Sequence, residues 1–199
     1  MTQSLYNSIA FDDLINLRIR PMQLADLKPV HQIDTLSFTM PWPESAFRYE
    51  LVENPRSQLW VAELPVNENE DQIVGAIITW LIMDEAHIAT LAVHPDHRKK
   101  GIGARLVATA LREAMQAGAI LATLEVRAGN IEAQRLYQRF NFQIVGRRTR
   151  YYQDNHEDAL LMTLLRMDET YLQFLEKGEW QKPCVEAGET RAGNLFSGS

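Results

Sequence analysis

Leu91-Ala92-Val93-His94-Pro95-Asp96-His97-Arg98-Lys99-Lys100-Gly101-Ile102-Gly103-Ala104-Arg105-Leu106 passes from an apolar strand, through a polar turn with two glycines, into an amphipathic helix. The first turn of such a helix leaves about four backbone N–H groups without intrahelical partners, and its aligned peptide dipoles favour an anion there. Gly101 and Gly103 let the backbone approach phosphate oxygens with no Cβ in the way, and Arg98, Lys99 and Lys100 add positive charge. A pyrophosphate fits this stretch; a solvated basic loop fits it too. Two other phosphate loops are excluded. No Gly-x4-Gly-Lys-Ser/Thr run occurs, and the dinucleotide fingerprint needs a third glycine where Leu106 stands.

Upstream of this turn, Leu17 to Arg20 alternates like a short strand that Pro21 stops, and Asp26 to Ser37 has helical spacing with Asp26 as its N-cap. Pro41-Trp42-Pro43 breaks the pattern before a second helix from Glu44 to Glu53, with Phe47 and Leu51 on one face. Gln58 to Leu64 and Ile73 to Met83 read as strands joined by the acidic loop 65–72, and Ala86 to Val93 as a third. Downstream, Ile102 to Ala117 is strongly helical, with Leu106, Ala110, Leu111 and Ala114 on one side and Gly118 beyond its end. Ile120 to Val126 is a buried strand, Asn130 caps a helix to about Phe140, and strands at Gln143–Gln153 and Ala159–Leu165 close the order. This order predicts an α/β (α+β) domain over residues 17–167, with a mixed sheet and helices on both faces. Residues 1–16 are expected to form a flexible leader. Residues 168–199 are expected to form an extension that is mostly disordered, because Gly, Ser, Thr, Glu and Asn dominate from about Lys177.

Composition narrows the classes further. No apolar run approaches the roughly 20 residues that span a bilayer, and the polar Met1-Thr2-Gln3-Ser4 start lacks a secretory pattern, so a cytoplasmic location with no membrane partner is expected. The single Cys184 cannot form an internal disulfide, and it stands in the polar tail. The net charge of −6 argues against broad nucleic-acid binding, so no DNA partner is expected; a basic peptide or a polyamine suits it better. His94-x-x-His97 has no further cluster to complete a metal site, so no metal is expected.

Arg98-x-x-Gly101-x-Gly103 resembles the Arg/Gln-x-x-Gly-x-Gly/Ala signature of the Gcn5-related N-acetyltransferase (GNAT) superfamily, with strand and helix flanking it as in that family. Further stretches resemble its RimI branch, the ribosomal-protein-alanine N-acetyltransferases. They are Pro41 to Phe47, Asp84-Glu85-Ala86, Leu91 to Pro95, Leu124 to Asn130, Leu136-Tyr137, Tyr151-Tyr152 and Glu157-Asp158-Ala159. The likeness runs from about residue 17 to 166 and departs at Asn141-Phe142, where Gly-Phe is common, and in the added leader and tail. It implies the GNAT fold, a mixed and mostly antiparallel sheet of six to seven strands. It also implies acetyl-CoA as co-substrate and a protein N-terminal amine as acceptor, specifically the N-terminal alanine of ribosomal protein S18. Acetylation of a small-molecule amine or a lysine side chain is the alternative, and a noncatalytic acyl-CoA-binding module a third.

The resemblance implies direct attack of the amine on the thioester in a ternary complex. Glu125 is then the proton acceptor, directly or through water, although by residue type alone it reads as a salt-bridge partner for Arg127 or a nearby loop. Tyr137 is the acid that protonates the departing thiolate, although with Ala133, Leu136 and Phe140 it also reads as an ordinary packed face. The cofactor set is Leu91, Ala92, Val93, Arg98, Lys99, Lys100, Gly101, Ile102, Gly103, Ala104 and Asn130. Leu91 and Val93 are expected to offer backbone groups to the pantetheine arm, and Asn130 its side chain. Trp42, Glu85 and Tyr152 are the substrate candidates. Glu85 and His87 alternate on one strand and could either meet the amine or form structural hydrogen bonds. Tyr151 and Tyr152 point to opposite faces if their strand is regular.

Overall fold

Ile73 to Thr79 is buried at every position, as expected of a central strand covered on both faces. In the computed structural model, which describes residues 16–67 and 70–181, this segment lies within β3 (Glu70–Ile82). The other strands are β1 (Arg18–Pro21), β2 (Ser57–Asn67), β4 (Glu85–Val93), β5 (Leu121–Arg127), β6 (Gln143–Arg148) and β7 (Ala159–Leu164). They form one sheet in the order β1-β2-β3-β4-β5-β7-β6. Only β4 and β5 pair in parallel. The α-helices are α1 (Leu27–Ser37), α2 (Glu44–Val52), α3 (Ile102–Gln116), α4 (Ile131–Gln138) and α5 (Glu169–Glu176).

Alternation along the strands feeds two cores. Val61, Ala76 and Ile78 pack with Val30, Ile33 and Phe47 of α1 and α2 on one face. Ala62, Ile77 and Leu124 pack with Leu106, Ala110 and Ala114 of α3 on the other. Completely burying a side chain such as Phe47 or Leu106 contributes about 2 to 3 kcal/mol. This is the mixed sheet with helices on both faces that the pattern predicts, with the mostly antiparallel pairing of seven strands that the resemblance implies.

Several boundaries differ from the sequence reading. The β2–β3 connection is shorter than residues 65–72, because Pro65 pairs with Asp71 and Asn67 with Glu70. Asp26 precedes α1 as expected but does not cap it; its carboxylate accepts from the Gln23 N–H and from Arg20 instead. β6 stops at Arg148, and Arg150 has a left-handed φ of 51°. Tyr151 and Tyr152 therefore lie in a loop, where strand alternation does not apply, with their rings edge to face at 5.3 Å.

The ordered C-terminal chain also reaches further than composition suggests. Asp168 caps α5 through the Tyr171 N–H, and the Tyr171 hydroxyl donates to the Phe140 carbonyl at 2.9 Å. Beyond the helix, Trp180 is buried and stacks on Phe140 at 5.4 Å, while its carbonyl accepts two bonds from Arg139. A few apolar anchors offset the ordering of a polar segment, which counting residue types cannot register. The tail past Gln181, with Cys184, and the leader up to residue 15 lie outside the described residues.

Candidate active site

β4 and β5 pair only from Glu85–Leu121 to Ile88–Leu124. Beyond that point β4 continues to Val93, still paired with β3, and β5 continues to Arg127, still paired with β7. The facing edges therefore separate into a wedge. The register slips where Thr79 meets Ile88 and Ile78 meets Thr90, so Ala89 is an extra residue on β4. Such a bulge bends its strand, here at the mouth of the wedge. Leu91 to Val93 have no strand partner on the open side, where the Val93 carbonyl accepts from Arg98 Nε instead.

The wedge holds two adjoining cavities. One, about 640 Å³, is lined by Leu91, Ala92, Val93, Arg98, Lys99, Gly101, Ile102, Gly103, Ala104 and Asn130 among others. The cofactor set predicted from sequence thus lies together, with Lys100 outside the lining. Gly101, at the helix start, has a φ of 85°, which glycine adopts without strain. Gly103 is different: a Cβ there would meet Leu136, Val93 and Leu91 at ordinary distances of 3.5, 3.7 and 3.9 Å. A Cβ is tolerated there, in keeping with the Gly/Ala alternative of the signature, so this position offers a small residue beside the helix start. The residues present therefore fit a pyrophosphate held by backbone N–H groups.

Arg98 does not add free charge beside that loop. Its Nε donates to the Val93 carbonyl and its NH2 to Ser37 Oγ, both at 3.0 Å, tying the turn to the end of α1. Lys99 pairs with Glu132 at 3.1 Å, and both are well exposed, so the pair contributes little. Asn130 caps α4 by accepting from the Ala133 N–H at 3.1 Å, which leaves its amide donors for the cavity it lines.

The second cavity, about 490 Å³, is lined by Trp42, Glu125, Arg127, Tyr137, Tyr152 and Asp154 among others, and shares Ser37, Phe38, Leu91, Asn130 and Ala133 with the first. Glu125 is 14% exposed, with Oε1 3.1 Å from Arg148 and Oε2 3.3 Å from His87 Nε2. Its partners are these two, and Arg127 pairs instead with Asp154 and Glu157. Tyr137 is 7% exposed, and burial pushes its phenol well above the usual tyrosine value. Burial also raises Tyr152, to about 12, against the pull of Arg127, whose guanidinium carbon lies 3.8 Å from the ring centroid.

The cleft is roofed. Thr39, in the loop between α1 and α2, donates to Asp154 in the loop between β6 and β7, and Arg127 bonds to both residues from below. Thr39, followed by Arg127, holds the Asp154 carboxyl below the usual range. Trp42 steadies the same lip: its N–H donates to the buried Asp34 at 2.7 Å, and its ring stacks on Trp80 at 6.3 Å. Trp80 stacks in turn on His87 at 5.5 Å and donates to the buried Glu50 at 2.9 Å.

Of the substrate candidates, Trp42 and Tyr152 line the cleft and Glu85 does not. Glu85 accepts a hydrogen bond from Thr123, which also meets His87. Sequence reasoning missed the Thr39–Asp154–Arg127 roof and the Arg148 contact. Nothing local signals a bond between residues 39 and 154.

A family model described as Acetyltransferase (GNAT) family matches residues 27–142. The chain is 38% identical over 144 residues, 72% of its length and 92% of the relative's, to a Bacillus subtilis (strain 168) protein named for ribosomal protein bS18-alanine N-acetyltransferase activity. It is 30% identical over 148 residues, 73% and 95% of the two chains, to the ribosomal protein bS18-alanine N-acetyltransferase of Escherichia coli (strain K12). Among solved structures, the ribosomal-protein-S18-alanine N-acetyltransferase from Escherichia coli is similar with a TM-score of 0.66 and 28% identity, over 76% of this chain and 96% of that one. Ard1 from Thermoplasma volcanium is similar with a TM-score of 0.69 and 26% identity, over 77% and 100%.

Proposed function

The chain belongs to the acetyltransferase (GNAT) family and uses acetyl-CoA, and from that premise we propose that it acetylates a protein N-terminal amine, that of the alanine opening ribosomal protein S18. The observation that carries this reading is the roofed cleft with Glu125 and Tyr137 in its lining, adjoining the cavity at the helix start. A roof formed by two loops suits an extended chain end entering from one side, and the acceptors named for the relatives are such ends.

Acetyl-CoA supplies the activated acetyl thioester. Backbone N–H groups at the start of α3 would hold its pyrophosphate, and the edge of β4 at Leu91 to Val93, which no strand covers, would align its pantetheine arm beside the cleft. An α-amine has a reference pKa of about 7.7 to 8.0 and must lose a proton before attack. Glu125 takes that proton, directly or through water, with His87 Nε2 against its Oε2. The Tyr137 hydroxyl, kept protonated by burial, gives its proton to the departing sulfur and regains one from the acylated nitrogen. Trp42 and Tyr152 flank the first residues of the acceptor.

Acetyl-CoA turnover is measured with an Ala-initiated S18 peptide, with the same peptide blocked at its N-terminus, and with spermidine. Turnover on the free peptide alone is expected. Equal rates on the blocked peptide or on spermidine contradict the reading.

A further inference from the structure

Glu85 and Thr123 stand outside the cleft, yet they end in a chain of contacts that reaches Glu125. Thr123 Oγ1 donates to Glu85 Oε1 and lies 3.0 Å from His87 Nδ1, and His87 Nε2 lies 3.3 Å from Glu125 Oε2. These residues come from the paired parts of β4 and β5, where His87 is directly opposite Thr123.

Counting protons fixes the direction of the chain. A carboxylate only accepts, so the single Thr123 hydroxyl proton goes to Glu85. The hydroxyl then has only lone pairs for His87, so the proton in the His87–Thr123 bond belongs to Nδ1. A neutral His87 held in that tautomer turns the Nε2 lone pair toward the Glu125 oxygen. Two lone pairs facing each other bind one proton well: with it, the contact becomes a hydrogen bond between imidazolium and carboxylate. In the opposite tautomer Nε2–H already donates to Glu125, and Nε2 has no lone pair with which to take a proton from it.

We propose that Glu85 and Thr123 are positioning residues for the reaction: Thr123, oriented by Glu85, fixes His87 as the Nδ1–H tautomer, so that Nε2 is a second seat for the proton Glu125 removes from the acceptor amine. The N–H bond of the ammonium breaks with its electron pair left on nitrogen. The proton moves to Glu125, then to His87 Nε2, and leaves to solvent before the next turnover. The arrangement addresses a mismatch, since a lone carboxylate with a reference pKa of about 4.3 is a poor base for an ammonium group near 8.

Other groups face the pair as well. Arg148 of β6 lies 3.1 Å from Glu125 Oε1, the oxygen away from His87, and is half exposed. Tyr152, from the β6–β7 loop, interacts electrostatically with Glu125 while its own phenol stays neutral. Trp80 of β3 covers one face of the imidazole, and Arg127 on β5 is engaged by Asp154 and Glu157. Among the described residues, Glu85 reaches His87 through Thr123.

The inference rests on Glu125 being the proton acceptor, and the test separates the two ideas. Imidazole ¹⁵N NMR on the full chain with the ring neutral reads the tautomer whatever the chemistry. The wild type is expected to show Nδ1–H, Thr123→Val to gain the Nε2–H form, and Thr123→Ser to restore the original signal. In kinetics, Thr123→Val and Glu85→Gln should each lower kcat about tenfold and move the acidic limb of the pH–rate profile roughly one unit lower, with KM for acetyl-CoA unchanged. Thr123→Ser should recover both. An unchanged tautomer in Thr123→Val overturns the lock. A changed tautomer with an unchanged pH profile overturns the proton seat, and a Glu125→Gln variant with wild-type rates and profile overturns the underlying assignment instead.

Discussion

Tyr137 differs from phenylalanine by one hydroxyl, and its ring already packs edge to face on Phe142 at 5.8 Å. Tyr137→Phe keeps that packing and removes the proton donor, so kcat should fall by about a hundredfold or more while acetyl-CoA affinity changes less than about twofold. Isothermal titration beside steady-state kinetics checks this. Glu125→Gln leaves the amine to shed its proton to solvent, so the pH–rate profile should move toward higher pH. Rates and profiles unchanged in both variants would remove the acid and base assignments. At this scale the sequence was least informative. Tyr137 on a helical face and Glu125 next to Arg127 both have ordinary structural readings, and only their resemblance to a family pattern suggested chemistry. The contacts with His87 and Arg148 join β5 to β4 and β6, a proximity no local spacing encodes.

The strand–turn–helix unit from Leu91 to Leu106 was the most legible part of the chain, since its apolar strand, glycines and helical period are all local signals. Its charges were less so. Arg98 is the signature's first residue, yet its guanidinium is spent on the Val93 carbonyl and Ser37, leaving the backbone as the anion site. Gly103→Ala adds a Cβ that the protein tolerates, and alanine is favoured in a helix by about 1 kcal/mol, so thermal stability should hold or rise. The signature carries Gly or Ala at this position, so acetyl-CoA affinity should change by no more than about twofold. Thermal melts with and without acetyl-CoA check both halves: the free protein should melt no lower, and the ligand-induced shift should persist.

The two cores follow from side chains of β2 and β3 pointing alternately to either face, both of them apolar, which is why a sheet covered by helices on both faces was readable before its edges were. The extension was not, because Trp180 is one aromatic in a polar context and its partner Phe140 is distant in sequence. Trp180→Ala should destabilise the protein by about 2 to 4 kcal/mol, measured by urea unfolding. Beside β1, burial pushes the Asp26 carboxyl up, but Arg20 and the Gln23 amide together bring it below its ordinary value. A depressed carboxylate contributes stability above its unfolded value and loses it as pH falls through the lower folded one. Unfolding midpoints should therefore fall below about pH 4, and Asp26→Asn should be less stable at neutral pH with a shallower acid decline.

All these parts serve one claim, that the roofed cleft presents a chain's α-amine to acetyl-CoA. The most direct measurement incubates the protein and acetyl-CoA with an S18 N-terminal peptide that carries both its free Ala amine and a lysine, then locates the acetyl group by fragmentation mass spectrometry. The account predicts acetylation at the alanine nitrogen and none at lysine Nζ. Acetyl found on the lysine, with the alanine amine free, would contradict it.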